Sequence, residues 1–366
     1  MAKKKVVVGM SGGVDSSVVA AILKNQGYDV VGVFMRFWQD TKADKAKNNF
    51  NENHCCSLGA YNDAKRVAEM LDIPFYAMDM KTPFKKTVVN YFLEEYKNGR
   101  TPNPCVECNR FIKFGEFLKK AKAMGADYVA TGHYARLRRE IQNPKSKTLN
   151  IKLLKGKDTE KDQSYFLYTL TQEKLKHILF PLGDYTKPKV RAMAKKFGLP
   201  VHSKKDSQEV CFVGDGLENF LSKWLKIKKR DIIEVETGKK LGEHRGLALY
   251  TIGQRKGLGL GGGPFYVVRM DAKKNILYVS NDEKRILSKE LNIKKIDFIS
   301  GFLPKLPLKI KVKIRYRHSE APAILKKEKN NYKIIFNKPQ RAITSGQSAV
   351  FYKGDEVLGG GVISER

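Results

Sequence analysis

One segment near the start of the chain has the residue types and spacing of a phosphate-binding loop. Residues 9–17 read Gly-Met-Ser-Gly-Gly-Val-Asp-Ser-Ser and lie between the apolar runs Val6–Val8 and Val18–Leu23. The first run predicts a buried strand and the second predicts the start of a helix. Backbone N–H groups and the helix dipole then point at one spot, and glycine lets a phosphate approach closely. Because no Lys follows the glycines, the segment is not the common Gly-x-x-x-x-Gly-Lys-Ser/Thr loop. The alternative is a glycine turn that only joins strand and helix.

Sulfur chemistry is the second possibility that the residue types suggest. Cys105 and Cys108 lie in the segment Thr-Pro-Asn-Pro-Cys-Val-Glu-Cys-Asn-Arg (101–110), which we expect to form a stiff loop before a helix. A thiol near a helix N-terminus and beside Arg110 should have a lowered pKa and react as a thiolate. Cys211 lies far away in the sequence. Two other interpretations stay open: Cys108 and Cys211 are buried apolar residues, or Cys-x-x-Cys is half of a zinc site that no second pair completes.

The elements that position these residues alternate between strand and helix in the first half of the chain. Strand-like runs occupy Val6–Val8, Val30–Met35, Ile73–Met78 and Tyr128–Ala130, and helical patterns cover Leu58–Leu71 (with Ser57 as N-cap), Thr82–Lys97, Phe111–Met124, Gln172–Ile178 and Lys187–Phe197. This rhythm predicts a parallel sheet that binds its ligand at the carboxyl ends of the strands. The loop 9–17 and the turn Gly132-His133 should then lie at the same edge of the sheet.

The second half of the chain changes in character. Glycine becomes dense from about residue 209, and short strand-like runs with turns fill the segment from about 283 to the last residue. Regularly spaced short strands predict a small barrel or sandwich. We therefore predict three domains: a parallel α/β domain over 1–208, a small β-rich domain over 209–282 and a β-barrel over 283–366.

The composition predicts that the protein binds a polyanion. The 366 residues include 70 Lys and Arg against 38 Asp and Glu, a net charge of +32. Such an excess favours salt-dependent binding of nucleic acid, with a general Lys bias as the alternative. Basic and apolar residues alternate over Lys309–Arg317, which predicts a strand with one basic face. Since no apolar run has the length of a membrane span, we expect a cytoplasmic protein without membrane contact. The expected oligomeric state is a monomer.

Together these motifs resemble those of the tRNA-specific 2-thiouridylases. The loop 9–17 alone resembles the Ser-Gly-Gly-x-Asp-Ser pyrophosphate loop of the ATP-pyrophosphatases, a superfamily that also contains GMP, NAD and asparagine synthetases. The narrower resemblance extends from Gly9 to about Ile363. Its further marks are Asn-Pro-x-x-x-Cys-Asn (103–109), Thr-Gly-His-Tyr (131–134), Lys-Asp-Gln-Ser-Tyr-Phe (161–166), Cys-Phe-Val-Gly (211–214), Arg-Tyr-Arg-His (315–318) and Ser-Gly-Gln-Ser-Ala-Val (345–350).

The resemblance implies a reaction in which ATP adenylates the C2 oxygen of the wobble uridine of tRNA. Cys211 would carry sulfur as a persulfide, delivered by a sulfur-relay protein or a cysteine desulfurase. Cys108 would attack the persulfide and release sulfide, or help to resolve it. A Cys108–Cys211 disulfide would remain, and a reductant would restore the thiols.

The resemblance also assigns binding residues. The ATP site with its Mg²⁺ would comprise Gly9, Met10, Ser11, Gly12, Gly13, Val14, Asp15, Ser16, Met35 and Gly132. The tRNA site would comprise Asn103, Pro104 and Cys105 around the target base, together with His133, Lys161, Asp162, Gln163, Arg315, Tyr316 and Gln347.

One position departs from the family pattern. Many members have Asp where this chain has Cys105, and a thiol could not position a base or a metal in the same way. Cys105, Cys108 and Cys211 could instead hold a [4Fe–4S] cluster with one open iron, which is the alternative route for sulfur. The pair Cys55-Cys56 is interpreted as structural. Two rival functions are an amidotransferase-type synthetase that uses ammonia and a silent tRNA-binding protein that uses ATP as a switch.

Overall fold

The first domain is a parallel sheet between helices, as predicted. The computed structural model describes residues 2–38, 57–143, 148–205, 210–214, 216–329 and 331–364. The strands of this domain are β1 (Lys5–Gly9), β2 (Asp29–Arg36), β3 (Phe75–Asp79), β4 (Tyr128–Ala130), β5 (Ala135–Asn143), β6 (Thr148–Lys155) and β7 (Ile178–Leu179). The parallel sheet has the order β3-β2-β1-β4-β7. Val6, Val7 and Val8 of the central strand are completely buried, as expected where helices cover both faces.

The helices lie where the apolar periodicity predicts most of them. They are α1 (Val14–Asn25), α2 (Leu58–Met70), α3 (Lys81–Phe84, π-helical Lys85–Val89 and Asn90–Lys97), α4 (Pro104–Glu107, π-helical Cys108–Glu116 and Phe117–Ala123), α5 (Gln172–Leu175), α6 (Lys187–Lys196) and α7 (Leu217–Trp224). Ser57 caps α2, because its hydroxyl accepts a hydrogen bond from the Ala60 N–H at 3.0 Å. The predicted cap is confirmed.

Two sequence-based expectations about helices are wrong. The segment expected to be a stiff loop is helical from Pro104, because proline suits a first helical turn, where its missing N–H has no partner to lose. Cys105 and Cys108 therefore lie on α4. The helix predicted over Gln172–Ile178 ends at Leu175, because Ile178 and Leu179 pair with β4 at the edge of the sheet.

The remaining chain forms a small sheet and then a barrel. The sheet consists of β8 (Arg230–Glu234), β9 (Lys240–His244), β10 (Tyr266–Asp271) and β11 (Ile276–Ser280). The barrel consists of β12 (Leu287–Phe298), β13 (Leu308–Lys313), β14 (Ala321–Glu328), β15 (Asn331–Arg341), β16 (Ser348–Lys353) and β17 (Glu356–Ile363). Its order is β12-β15-β14-β13-β16-β17, and pairing of β12 with β17 closes it. The predicted α/β, β-rich and barrel architecture is confirmed, and the closure favours the barrel over the sandwich.

The barrel is joined directly to the first domain. Strand β17 also pairs with β6, where Glu356 lies opposite Leu154 and Val357 opposite Leu153. The hairpin β5-β6 therefore continues the barrel sheet. Within the described ranges no helix is long and apolar enough to span a membrane.

Candidate active site

The segment 9–17 forms a tight loop between β1 and α1. The Ser11 N–H donates to the Ser16 hydroxyl at 3.1 Å, and the Ser17 hydroxyl donates to the Gly13 carbonyl at 2.9 Å. Gly12 has a φ of +71°, and a Cβ there would lie 2.1 Å from the Ala60 carbonyl oxygen of α2. Only glycine fits both the backbone conformation and this contact. The loop therefore has the fixed backbone shape and the position at a helix N-terminus that suit an anion, and phosphate binding stays a prediction.

The neighbouring strand ends border this loop on two sides. A Cβ on Gly132 would lie 3.0 Å from Asp15 Cβ and 3.2 Å from the Ser16 nitrogen, so the end of β4 lies against the first turn of α1. On the other side, a Cβ on Gly9 would lie 3.1 Å from the Met35 methyl at the end of β2. The predicted meeting of the loop with Gly132 at one sheet edge is confirmed, at the point where strand order reverses.

Two lysines that the sequence analysis missed hold this loop. Lys187 Nζ donates to both carboxylate oxygens of Asp15 at 2.7 and 2.9 Å, and the Tyr134 hydroxyl donates to the same carboxylate at 2.8 Å. Lys204 Nζ donates to the Gly12 carbonyl at 3.0 Å and pairs with Asp63. Lys187 is 172 residues from Asp15, and no local pattern in a Lys-rich chain marks either residue.

A cavity of about 340 Å³ brings the loop and the three cysteines together. It is lined by residues of the predicted ATP site, of the predicted tRNA site and by the predicted sulfur carriers. These are Gly9, Met10, Ser11, Asp15, Ser16, Met35, Gly132, Pro104, Cys105, Cys108, His133, Gln163 and Cys211. The cavity lining does not include three further residues of the loop, which are Gly12, Gly13 and Val14. Val14 is buried as the first residue of α1.

The three cysteines differ in exposure. Cys108 is buried, Cys211 is half-buried and Cys105 is exposed, and all three carry thiols. The expected charge partner of Cys108 is engaged elsewhere, because Arg110 forms an ion pair with Asp297 of the barrel at 3.4 Å. Lys113 of the same helix lines the cavity instead. Cys55 and Cys56 lie outside the described residues.

Aromatic packing fixes the segment that carries Cys211. The adjacent Phe212 is buried, and its ring centroid lies 5.6 Å from that of Phe84, 5.1 Å from that of Phe92 and 5.6 Å from that of Phe220. Edge-to-face pairs at these distances stabilise a defined position. Phe212 therefore anchors the backbone so that the neighbouring thiol reaches the cavity wall.

The iron–sulfur alternative stays a prediction. Three cysteines line one cavity, but the parts of the chain that the structure describes contain no group of three or more His, Cys, Asp or Glu side chains that could hold a metal ion. For Mg²⁺, the carboxylate of Asp15 lines the cavity while it accepts hydrogen bonds from Lys187 and Tyr134. An ion that arrives on ATP would therefore take most of its ligands from phosphates and water.

His133 is a buried neutral imidazole. Its ring stands 5.8 Å from Phe114 and 5.9 Å from Phe180, and its Nδ1 is 2.7 Å from the Thr131 hydroxyl. Burial, and then the charge of Lys113, hold the pKa of His133 well below its usual range. The side chain lines the cavity without carrying charge near neutral pH.

We expect a His133→Gln variant to lose less stability in mild acid than the parent protein. Below about pH 6.5 His133 binds a proton in the unfolded protein but stays neutral in the folded protein. The residue therefore lowers the free energy of unfolding as the pH falls. The contribution reaches about 1.4 kcal/mol per pH unit. Chemical denaturation between pH 7.5 and 5.5 measures the difference in slope. The exposed His202 provides the matched control, and equal slopes for parent and His133→Gln would contradict the assignment.

The predicted base-contacting residues follow a segment that the barrel holds in place. Gln347 Nε2 donates to the carbonyls of Thr101 at 3.0 Å and Pro102 at 3.2 Å, and the Thr101 N–H donates to the Ser345 carbonyl at 3.0 Å. Asn103 is buried directly after these residues. Gln347 therefore fixes the approach to Pro104 and Cys105, and its contact with tRNA stays a prediction.

The two remaining tRNA motifs meet beside the cavity. The Tyr316 ring centroid is 4.4 Å from that of Phe166, and Lys313 Nζ is 3.9 Å from the Asp162 carboxylate. Gln163 Oε1 accepts the Tyr134 N–H at 3.1 Å. Asp162 is buried and accepts hydrogen bonds from Gly156 and Ser164, whereas Lys161 is half-buried. Contacts of Lys161, Asp162, Gln163 and Tyr316 with tRNA stay predictions.

The basic face expected over Lys309–Arg317 is shorter than predicted. Strand β13 ends at Lys313, so the alternation of side chains stops there. Lys309 and Lys311 are exposed. Arg315 instead turns inward, and its Nη2 donates to the carbonyls of Ile252 at 3.1 Å and Ala342 at 3.0 Å. Arg315 thus links the barrel to the middle domain.

Comparison with known proteins gives matches over the whole described fold. Family models match residues 4–215 (tRNA methyl transferase HUP domain), 218–281 (tRNA methyl transferase PRC-barrel domain) and 288–363 (aminomethyltransferase beta-barrel domain). Proteins named tRNA-specific 2-thiouridylase are 50% identical in Acetivibrio thermocellus, over 99% of this chain and 100% of the relative, and 47% identical in Clostridium perfringens, over 99% of each. A relative of the same name from Caldanaerobacter subterraneus is 50% identical, over 99% of this chain and 98% of its own length.

Proposed function

Because this chain belongs to the family of the tRNA-specific 2-thiouridylases, we propose that it replaces the C2 oxygen of the wobble uridine of tRNA by sulfur, at the expense of ATP. The observation that carries the proposal is the single cavity, whose wall contains the phosphate loop, Cys108 and Cys211. An activating site and two thiols on one wall are what an exchange of oxygen for sulfur requires. The proposed place of action is the cytoplasm.

The first half-reaction activates the uridine. The loop Ser11–Ser16 and the first turn of α1 would hold the β- and γ-phosphates, with Mg²⁺ on the phosphates. Met35 and Gly132 would border the adenosine. The C2 oxygen attacks the α-phosphorus, the bond to the β-phosphate oxygen breaks, and pyrophosphate leaves with the electron pair. The oxygen at C2 is then part of an AMP leaving group.

The second half-reaction delivers sulfur. A sulfur-relay protein or a cysteine desulfurase would load Cys211 as a persulfide. The Cys108 thiolate attacks the Cys211 sulfur, which forms a Cys108–Cys211 disulfide and expels hydrosulfide with the electron pair. Hydrosulfide attacks C2 and AMP departs, so that C2 exchanges oxygen for sulfur. A dithiol reductant supplies the two electrons that restore both thiols.

The proposal is tested by reconstitution. Purified protein, ATP, Mg²⁺, a persulfide donor, a reductant and unmodified tRNA should yield AMP, pyrophosphate and 2-thiouridine in equal amounts. Nuclease digestion and mass spectrometry place the modification at position 34 of the tRNA. A product that carries nitrogen, or ATP binding without any tRNA product, would favour the synthetase or the silent binding protein instead.

The tRNA surface of the barrel gives a separate prediction. Lys309 and Lys311 are exposed on β13, so we expect Lys309→Ala and Lys311→Ala together to weaken tRNA binding. For each lysine that binds a phosphate, its removal should reduce the slope of log K against log salt by roughly 0.7–0.9. Filter binding between 50 and 200 mM salt measures the slope. An exposed pair elsewhere on the barrel, Lys326 and Lys327 on β14, serves as the control, and an unchanged slope would exclude β13 from the interface.

A further inference from the structure

The π-helical winding of α4 places a lysine on the cavity wall together with the proposed nucleophile. The segment Cys108–Glu116 is π-helical, and in this winding hydrogen bonds connect residues five apart, which therefore share a face. In an α-helix, residues five apart point about 140° away from each other. Cys108 and Lys113 are five apart, and both line the cavity. The unusual winding thus brings the Lys113 side chain to the cavity that Cys108 also lines.

The described residues provide no counter-ion for the ammonium of Lys113. Among the residues that the structure describes, no hydrogen bond or ion pair joins Lys113 to another side chain, whereas Lys187 pairs with Asp15 and Lys204 with Asp63. Its charge also contributes to keeping the buried His133 neutral. A half-buried cation on a cavity wall, with no counter-ion among the described residues, is a site for an anion from the substrate.

We propose that Lys113 binds the α-phosphate of ATP and then the phosphate that joins AMP to the target uridine. This inference rests on the proposed function. The loop Ser11–Ser16 supplies backbone N–H groups for the terminal phosphates. The α-phosphorus must lie between that loop and the base, because the C2 oxygen attacks it. Lys113 lines the cavity together with Cys108 and with His133, which follows Gly132, and its charge acts on the His133 imidazole.

Lys113 acts through its positive charge in both half-reactions. During adenylation the α-phosphate gains negative charge as the C2 oxygen bonds to phosphorus and pyrophosphate departs. During sulfur transfer the bond between C2 and oxygen breaks, and the electron pair leaves on AMP. A fixed ammonium stabilises both charge increases without a proton transfer. Lys113 is therefore a catalytic residue of both half-reactions.

The test separates adenylation from sulfur transfer. We expect Lys113→Met to slow tRNA-dependent pyrophosphate release by about a hundredfold to a thousandfold, the usual effect of removing one group that stabilises developing negative charge. Lys113→Arg should recover at least about tenfold of that loss, because it restores the charge. Lys119→Met, an exposed position on the same helix, should match the parent protein.

Two outcomes overturn the inference while leaving the proposed function intact. One is a parent protein that makes 2-thiouridine together with a Lys113→Met variant that releases pyrophosphate within threefold of the parent. The other is a Lys113→Met variant that forms 2-thiouridine slowly from the Cys211 persulfide but releases pyrophosphate at the normal rate. Lys113 would then act on the thiols alone. Thermal melting checks the fold, and Lys113→Gln replaces Lys113→Met in the same assay if the latter does not fold. Absence of 2-thiouridine with the parent protein would instead contradict the proposed function.

Discussion

Cys211→Ser is expected to lower 2-thiouridine formation by about a thousandfold or more while tRNA-dependent pyrophosphate release continues. A hydroxyl cannot carry the second sulfur atom of a persulfide, so the loss falls on sulfur transfer alone, and removal of a covalent catalytic group has effects of at least this size. Cys108→Ser should behave alike with a persulfide donor, because both thiols line the same cavity wall. Mass spectrometry of the tRNA and a coupled pyrophosphate assay measure the two half-reactions separately.

Cys105→Ser is the matched control for both variants. Cys105 is exposed on the first turn of α4, although it also borders the cavity. The persulfide route does not use its thiol, so we expect at most a severalfold loss of 2-thiouridine. A loss as deep as that of Cys211→Ser, accompanied by iron in the parent protein, would contradict the persulfide route and favour the cluster. Full activity of Cys211→Ser with a persulfide donor would also contradict it.

The parts of the site that follow from one local pattern could be predicted from the sequence. The loop 9–17 lies between a buried strand and a helix, and the carboxyl ends of neighbouring parallel strands meet at one edge. These two facts bring Gly132 beside the loop, as the structure has it. The prediction that Cys108 and Cys211 lie in one site came from the family resemblance. The two residues are about a hundred positions apart in the sequence, and no pattern between them gives a physical reason for their contact.

The parts that depend on distant contacts could not be predicted. Lys187 and Lys113 are two of 70 basic residues, and only the folded chain shows that one neutralises Asp15 while the other faces the cavity. The π-helical winding of α4 could not be predicted, because the spacing of apolar residues that indicates a helix has a period of 3.6 residues and does not distinguish a π-helix. The alternation of basic and apolar residues predicts an exposed Arg315 only if strand β13 continues past Lys313. The strand ends at Lys313. The inward turn of Arg315 follows from acceptors on two other segments, Ile252 and Ala342.

Gly12→Ala is expected to weaken ATP binding by about a hundredfold, which corresponds to about 2.7 kcal/mol of lost contacts between the loop and the phosphates. The new Cβ would lie 2.1 Å from the Ala60 carbonyl oxygen and 2.8 Å from its carbon, which are backbone atoms that cannot rotate away. Either the phosphate loop or α2 must move, and Lys204 loses its alignment with the Gly12 carbonyl. Calorimetric titration with ATP measures the affinity, and chemical denaturation without ATP should show a loss of about 2 kcal/mol or more.

Gly27→Ala separates steric contact from backbone strain. Gly27 has a φ of +84°, and nothing lies within 4 Å of a Cβ there, so this variant bears only the left-handed cost of about 1–2 kcal/mol. Gly27 follows α1 at the end opposite to the phosphate loop, and we expect its ATP affinity to equal that of the parent. If Gly12→Ala bound ATP as tightly as Gly27→Ala, the contact between the loop and α2 would not shape the ATP site. A loss confined to Gly12→Ala means that α2 sets the position of the phosphates, and with it the distance from the α-phosphorus to the cysteines that line the same cavity.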